Sequence, residues 1–248
     1  MDDYNRERAV TASDYESLAR AASNQVAIAR ALGPRLHLDS NPPLWGIGDP
    51  MRFAAIDRSR GNVNVIIAAD NGPAVDFPQP SAALIAAVQG FLSARRPLGS
   101  MLAVIGPRYL PVNVVLDVVT LKRAIDKKLV QPGQLAAQVA AAVRRFLHPI
   151  NGNVDHKGWQ VGESVKVADL IRAVAPRPDL GSISNVVINP AIPQYHFPPL
   201  NPGGTATNYV EFSERGFTHV IGAPELLVAE FELACWDPGS KINDKGIV

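Results

Sequence analysis

The chain has 248 residues, room for one or at most two domains at roughly 150 residues each. That length buries about 70–75% of the unfolded surface, so neither disulfides nor a metal is needed to hold a core. At 47% hydrophobic and 19% charged residues a wholly disordered chain is excluded, the net charge of +1 speaks against whole-chain electrostatic binding of nucleic acid, and the single cysteine, Cys235, excludes an internal disulfide framework and most cysteine-rich zinc sites.

With 21 Pro and 19 Gly, and aromatic residues at only 6%, short elements and many turns are predicted. The charged start, Met1 to Arg8, carries no apolar signal region. Such a start fits a piece of a longer protein or a short leader. No run approaches 18 uncharged apolar residues, so no membrane span is predicted. Ser13 and Glu16 have the S-x-x-E spacing of a capping box, and Tyr15, Leu18 and Ala22 follow at helical spacing; together they predict a helix over 13–23. Val26, Ile28, Arg30 and Leu32 alternate with alanines and predict a strand, stopped by Gly33-Pro34. Residues 39–50 read as a loop, 51–56 as a short strand and Arg58 to Asn62 as a hairpin turn. Val63 to Ala69 is a β-branched strand. Ser81 then caps a second helix with the stripe Leu84, Ile85, Val88, Phe91 and Leu92, ending near Arg95-Arg96 and stopped by Pro97.

Met101 to Ile105 is the next strand. Pro111 to Leu121 is the longest; Val112, Val114, Leu116, Val118 and Thr120 share one face, and Val115 and Val119 imply cover on the other. A third helix runs from Gln134 to Leu147 on Leu135, Val139, Val143, Phe146 and Leu147. A glycine-rich loop, Asn151 to Trp159, leads through Val165 and Val167 into a short helix, Ala168–Val174, then a turn and a strand over Ile183–Ile188. Five prolines mark Asn189 to Gly204 as a linker. The tail shows strand-like runs at Tyr209–Phe212, His219–Ile221 and Leu226–Leu233. The fold class expected is α+β: two small half-domains of mixed strands and helices, 1–107 and 108–190, plus a Pro-rich linker and β-rich C-terminal tail, 191–248. At under 60 residues that tail is too small to stand alone and is expected to dock on the body or on a partner.

Chemistry is sparse. Gly46-Ile-Gly48 lacks the third glycine and the strand of a dinucleotide fingerprint, so no cofactor is expected. None of His37, His148, His156, His196 and His219 lie at short ligand spacing, and no metal site is expected. Asp155, His156 and Lys157 form the least ordinary polar group, in a loop whose ordinary reading is a solvated turn. Cys235-Trp236 lacks the basic surroundings of a reactive thiol. With no catalytic set in view, the chain is not expected to be an enzyme. Candidate interface anchors are the helix-end pairs Arg95-Arg96 and Arg144-Arg145 and the loop tryptophans Trp45 and Trp159. Dipole complementarity for the arginines and plugging of the protein's own core by the tryptophans are the ordinary alternatives.

Taken as an ordered series, several segments resemble the baseplate J-like family, wedge proteins of contractile phage tails and of related injection particles such as R-type pyocins and antifeeding prophages. The series runs from Arg8–Ala19 through Gly61-Asn-Val-Asn-Val-Ile-Ile67, Pro80-Ser-Ala-Ala-Leu-Ile-Ala-Ala-Val88 and Leu92-Ser-Ala-Arg-Arg-Pro-Leu-Gly99. It continues with Pro111-Val-Asn-Val114, Phe146-Leu-His-Pro149, Gly158-Trp-Gln-Val-Gly162, Val167-Ala-Asp-Leu-Ile171 and Pro178-Asp-Leu-Gly181, covering residues 8–190. Gln160 stands where the family usually has Pro, and Ala168 where Ser is common. The resemblance implies a structural component of a baseplate wedge around the central spike, transmitting the contraction trigger, with no catalytic residues. Implied partners are a second copy or paralogue, sheath-initiator proteins and spike or hub proteins, with no nucleic acid. It also implies assembly in the cytoplasm and residence in the particle. A receptor- or carbohydrate-binding module of a tail particle, stacking sugars on Trp45 and Trp159, is the alternative.

Overall fold

The computed structural model describes residues 8–34, 60–191 and 222–248. They fall into two compact units, one of residues 8–34 and 60–108, the other of 109–191 and 222–248. The fold is α+β. The sequence elements placed at 39–50, 51–56, 209–212 and 219–221, and the first two residues of the hairpin turn at 58–62, lie outside the described residues.

The first unit is a three-stranded sheet with two helices. α1, Ala12–Ala22, begins one residue before the expected helix, and its cap is not Ser13. Thr11 is the N-cap: its hydroxyl accepts the Asp14 N–H at 3.2 Å while the Asp14 carboxylate accepts the Thr11 N–H at 2.8 Å. Threonine and aspartate satisfy the same box as serine and glutamate, and Glu16 is left for another task. β1, Val26–Leu32, pairs antiparallel with β2, Asn62–Ala69. α2, Ala82–Ser93, is capped by the Ser81 hydroxyl, which accepts the Leu84 N–H at 3.1 Å. β3, Met101–Ile105, returns parallel to β2, the outcome expected of a strand–helix–strand crossover. Tyr15 and Ala19 of α1 and Leu84, Val88 and Leu92 of α2 share one core with Ala29, Val65, Ile67 and Val104 of the sheet.

Among the described residues, helix side chains bond to both outer strands of this sheet. On β1, Glu16 accepts the Ala31 N–H at 3.1 Å and Arg20 donates to the Ala29 carbonyl at 3.1 Å. On β3, the Gln89 amide of α2 donates to the Leu102 carbonyl at 2.8 Å and accepts the Val104 N–H at 2.7 Å. Each imitates the hydrogen bonds of another strand.

The second unit is built on β4, Arg108–Thr120, which starts three residues before the expected strand and runs through Pro111. A proline is tolerated there because its carbonyl remains usable, and it accepts the Ala191 N–H at 2.8 Å. Val112, Val114, Leu116 and Val118 are wholly buried, whereas Val115 and Val119 on the other face are half-buried. A short α3, Lys122–Asp126, follows, unforeseen because one helical turn is too short to show a stripe. α4, Gln134–Phe146, buries the expected stripe. β5, Val165–Lys166, runs directly into α5, Val167–Val174. β6, Gly181–Pro190, pairs antiparallel with β4 and takes Asn189 and Pro190, expected in the linker, into the ladder.

In the described part of the tail, 222–248, the last two strands join this sheet. The expected strand 226–233 is interrupted: β7, Glu225–Leu226, pairs with β5, and β8, Glu232–Trp236, pairs with β4. β9, Lys241–Ile247, lies parallel along β4. Its sequence, Lys-Ile-Asn-Asp-Lys-Gly-Ile, has too little apolar character to read as a strand.

Candidate interaction surfaces

The α2–β3 junction holds the first anchor pair. Arg95 lies just past the end of α2; its guanidinium stacks on the Phe91 ring at 3.6 Å and donates to the Phe91 carbonyl at 2.9 Å. It satisfies an orphan carbonyl of the last helical turn, so this arginine is held by its own unit. Arg96 is exposed. Arg144 and Arg145 are exposed on the last turn of α4, where cations suit the helix dipole.

Trp159 is 3% exposed. Its indole N–H donates to the Phe146 carbonyl at 3.0 Å, and its ring meets the Phe146 ring edge-on at 5.3 Å. The loop around it is tightly bonded. Asn153 N–H reaches the Phe146 carbonyl at 2.8 Å, Trp159 N–H the Pro149 carbonyl at 2.8 Å, and Gly152 N–H the His148 carbonyl at 2.8 Å. The buried His148 ring accepts the Ile150 and Asn151 N–H groups at Nδ1, at 3.2 and 3.1 Å. A Cβ at Gly152 would collide with the Phe146 and His148 carbonyls, and one at Gly158, where φ is +82°, with those of Pro149 and Ile150. Trp159 therefore plugs its own core and offers almost no ring to a sugar. Trp45 lies outside the described residues.

Asp155, His156 and Lys157 stand exposed on this loop's tip. Asp155 accepts the Lys157 N–H at 3.0 Å and its carboxylate lies 4.0 Å from the Lys157 ammonium, the geometry of a local turn. Cys235 is fully buried in β8. Burial, with Cys235 nearby, pushes the Tyr109 phenol well above its ordinary range.

On the outer face of the second sheet, Asp117 of β4 accepts from Asn185 of β6 at 2.7 Å and from Asn243 of β9 at 2.9 Å, with Lys245 at 3.5 Å. The Asn185 bond first, then the Asn243 bond, hold its carboxyl below the usual range; desolvation opposes them and Lys245 adds to them. One carboxylate thus ties three strands. Nothing in the sequence marks Asp117 or Gln89 for these tasks, because each looks like an ordinary surface polar residue, and Glu16 reads as a capping-box partner instead. Among the described residues, no group of three or more His, Cys, Asp or Glu side chains is placed to hold a metal ion. No helix among them is long and apolar enough to cross a membrane.

No family model matches the chain, and no curated protein matches it. Among solved structures it is similar to a chain of the anti-feeding prophage baseplate, with a TM-score of 0.48 and 15% identity over 96% of this chain. The chain spans 38% of the length of that solved chain.

Proposed function

We propose that the protein is a structural component of the baseplate wedge of a contractile tail or injection particle, assembling around the central spike and passing on the contraction trigger. The observation that carries this reading is the ordered series of segments from Arg8 to Gly181. Where those segments can be followed, they build turns, caps and core. Ser81 caps α2, and Phe146, His148, Gly158 and Trp159 lock one loop. A family signature made of such residues preserves a shape, which is what an assembly component requires. The similar solved chain comes from a baseplate as well, but at 15% identity and a TM-score of 0.48 the weight rests on the sequence series. In this reading Arg96, Arg144 and Arg145 face partner subunits: a second copy or paralogue, sheath-initiator and spike or hub proteins. No cofactor takes part.

The test is direct. High-mass particles are pelleted from cells that make the protein, and gradient fractions are examined by mass spectrometry. The chain is expected to travel with sheath, tube and spike proteins. If it stays soluble while sheath proteins pellet, the reading is wrong.

A further inference from the structure

We propose that the turn between α2 and β3 is a docking knob: an apolar tip inside an arginine rim, shaped to seat in an acid-rimmed pocket on a different protein chain. The proposal rests on the structural reading above only in where that partner is sought. Pro97 to Ser100 form a closed turn, with Ser100 donating to the Pro97 carbonyl from its N–H at 3.3 Å and from its hydroxyl at 2.8 Å. Leu98 at its tip is fully exposed. A leucine held out by a bonded turn is pre-organised, so docking orders little additional chain.

Two backbone bonds gather neighbours around it. Met101 N–H donates to the Gly61 carbonyl at 2.8 Å, bringing exposed Arg60 beside exposed Met101. Ala9 N–H donates to the Arg95 carbonyl at 3.0 Å, bringing exposed Arg8 and Val10 beside exposed Arg96. Among the described residues, no ion pair joins Arg8, Arg60 or Arg96 to a carboxylate. The nearby Asp14 is turned onto the Val10 and Thr11 N–H groups.

The composition points the same way: no lysine precedes Lys122, so every fully charged basic side chain in this part of the sequence is arginine. Arginine is enriched and lysine depleted at protein interfaces, and the guanidinium fork pairs bidentately with carboxylates. A nucleic acid would satisfy the arginines and leave Leu98, Val10 and Met101 without apolar cover. A second copy meeting through the same face would set arginine against arginine. Strand addition is disfavoured, because Gln89, Glu16 and Arg20 already bond backbone groups on both outer strands.

The test places a photo-crosslinking amino acid at position 98 of the full chain, in cells that make the protein. An adduct with another protein is expected, and the linked peptide should carry carboxylates beside apolar residues. The paired charge reversal Arg60→Glu/Arg96→Glu, with its thermal melt checked against the parent, should lower adduct yield roughly ten-fold or more. No adduct, an adduct with a second copy through residue 98, a nucleic-acid adduct, or an adduct indifferent to charge reversal overturns the proposal. An adduct with an acidic partner outside particles keeps the knob and removes the baseplate reading. A chain that pellets with sheath but gives no adduct does the reverse.

Discussion

Thr11 and Ser13 both look like helix caps, and only one is. Removing a working cap costs about 1 kcal/mol, whereas an unused surface hydroxyl is worth within about 0.5 kcal/mol. Thr11→Ala should therefore lower the melting temperature measurably and Ser13→Ala should not; the reverse ranking would restore the Ser13 cap. Trp159→Phe keeps most of the ring but removes one of the two hydrogen bonds to the Phe146 carbonyl, which keeps the Asn153 N–H, a loss of about 0.5–1.5 kcal/mol readable as a shifted urea midpoint. Asp117 gives a pH prediction. Its folded carboxyl titrates below its unfolded value, so its stabilisation is fully present above the unfolded value of about 3.9 and fades as pH falls through the lower folded one. The midpoint difference between the parent and Asp117→Asn should be largest near pH 7 and shrink below about pH 4. A gap of equal size at pH 3 would mean that the carboxylate charge is not what ties the strands.

At the scale of elements, Gln89 tests whether the sheet edge is guarded. Gln89→Leu keeps the helix propensity and loses both bonds to β3. The expected outcome is faster exchange of the Val104 amide and concentration-dependent aggregation, since an open edge invites pairing. Unchanged exchange would show that the edge needs no guard. Most elements were legible because their signal is local and periodic: the stripe Leu135, Val139, Val143 and Phe146, the β-branched run of β2, and Ser81 before a helix. The misses have a physical reason too. α3 spans little more than one helical turn, too short for its pattern to repeat, and β9 is defined by its partner β4 rather than by its own side chains. The interface candidates show the same division. A tryptophan between glycines reads equally as plug or anchor until the Phe146 carbonyl is seen beneath it.

Across the whole molecule, each unit owns a core, with Leu92 in one and Leu170 in the other. Leu92→Ala and Leu170→Ala should each cost about 2–5 kcal/mol and loosen amides mainly in their own unit, as hydrogen exchange can map. Uniform loosening by either would show that the two cores unfold as one. The order of synthesis adds a consequence of the late partner of β4. Asp117 meets Asn243 across 126 residues of sequence, so the ribosome makes the middle of this sheet long before the strand that lies along it. Until then, one flank of β4 is a bare ladder, and closing so distant a pairing is slow. The nascent chain therefore carries an unpaired strand edge from the end of β4 at Thr120 until β9 begins at Lys241. The sheet of the second unit is completed only once β9 has emerged.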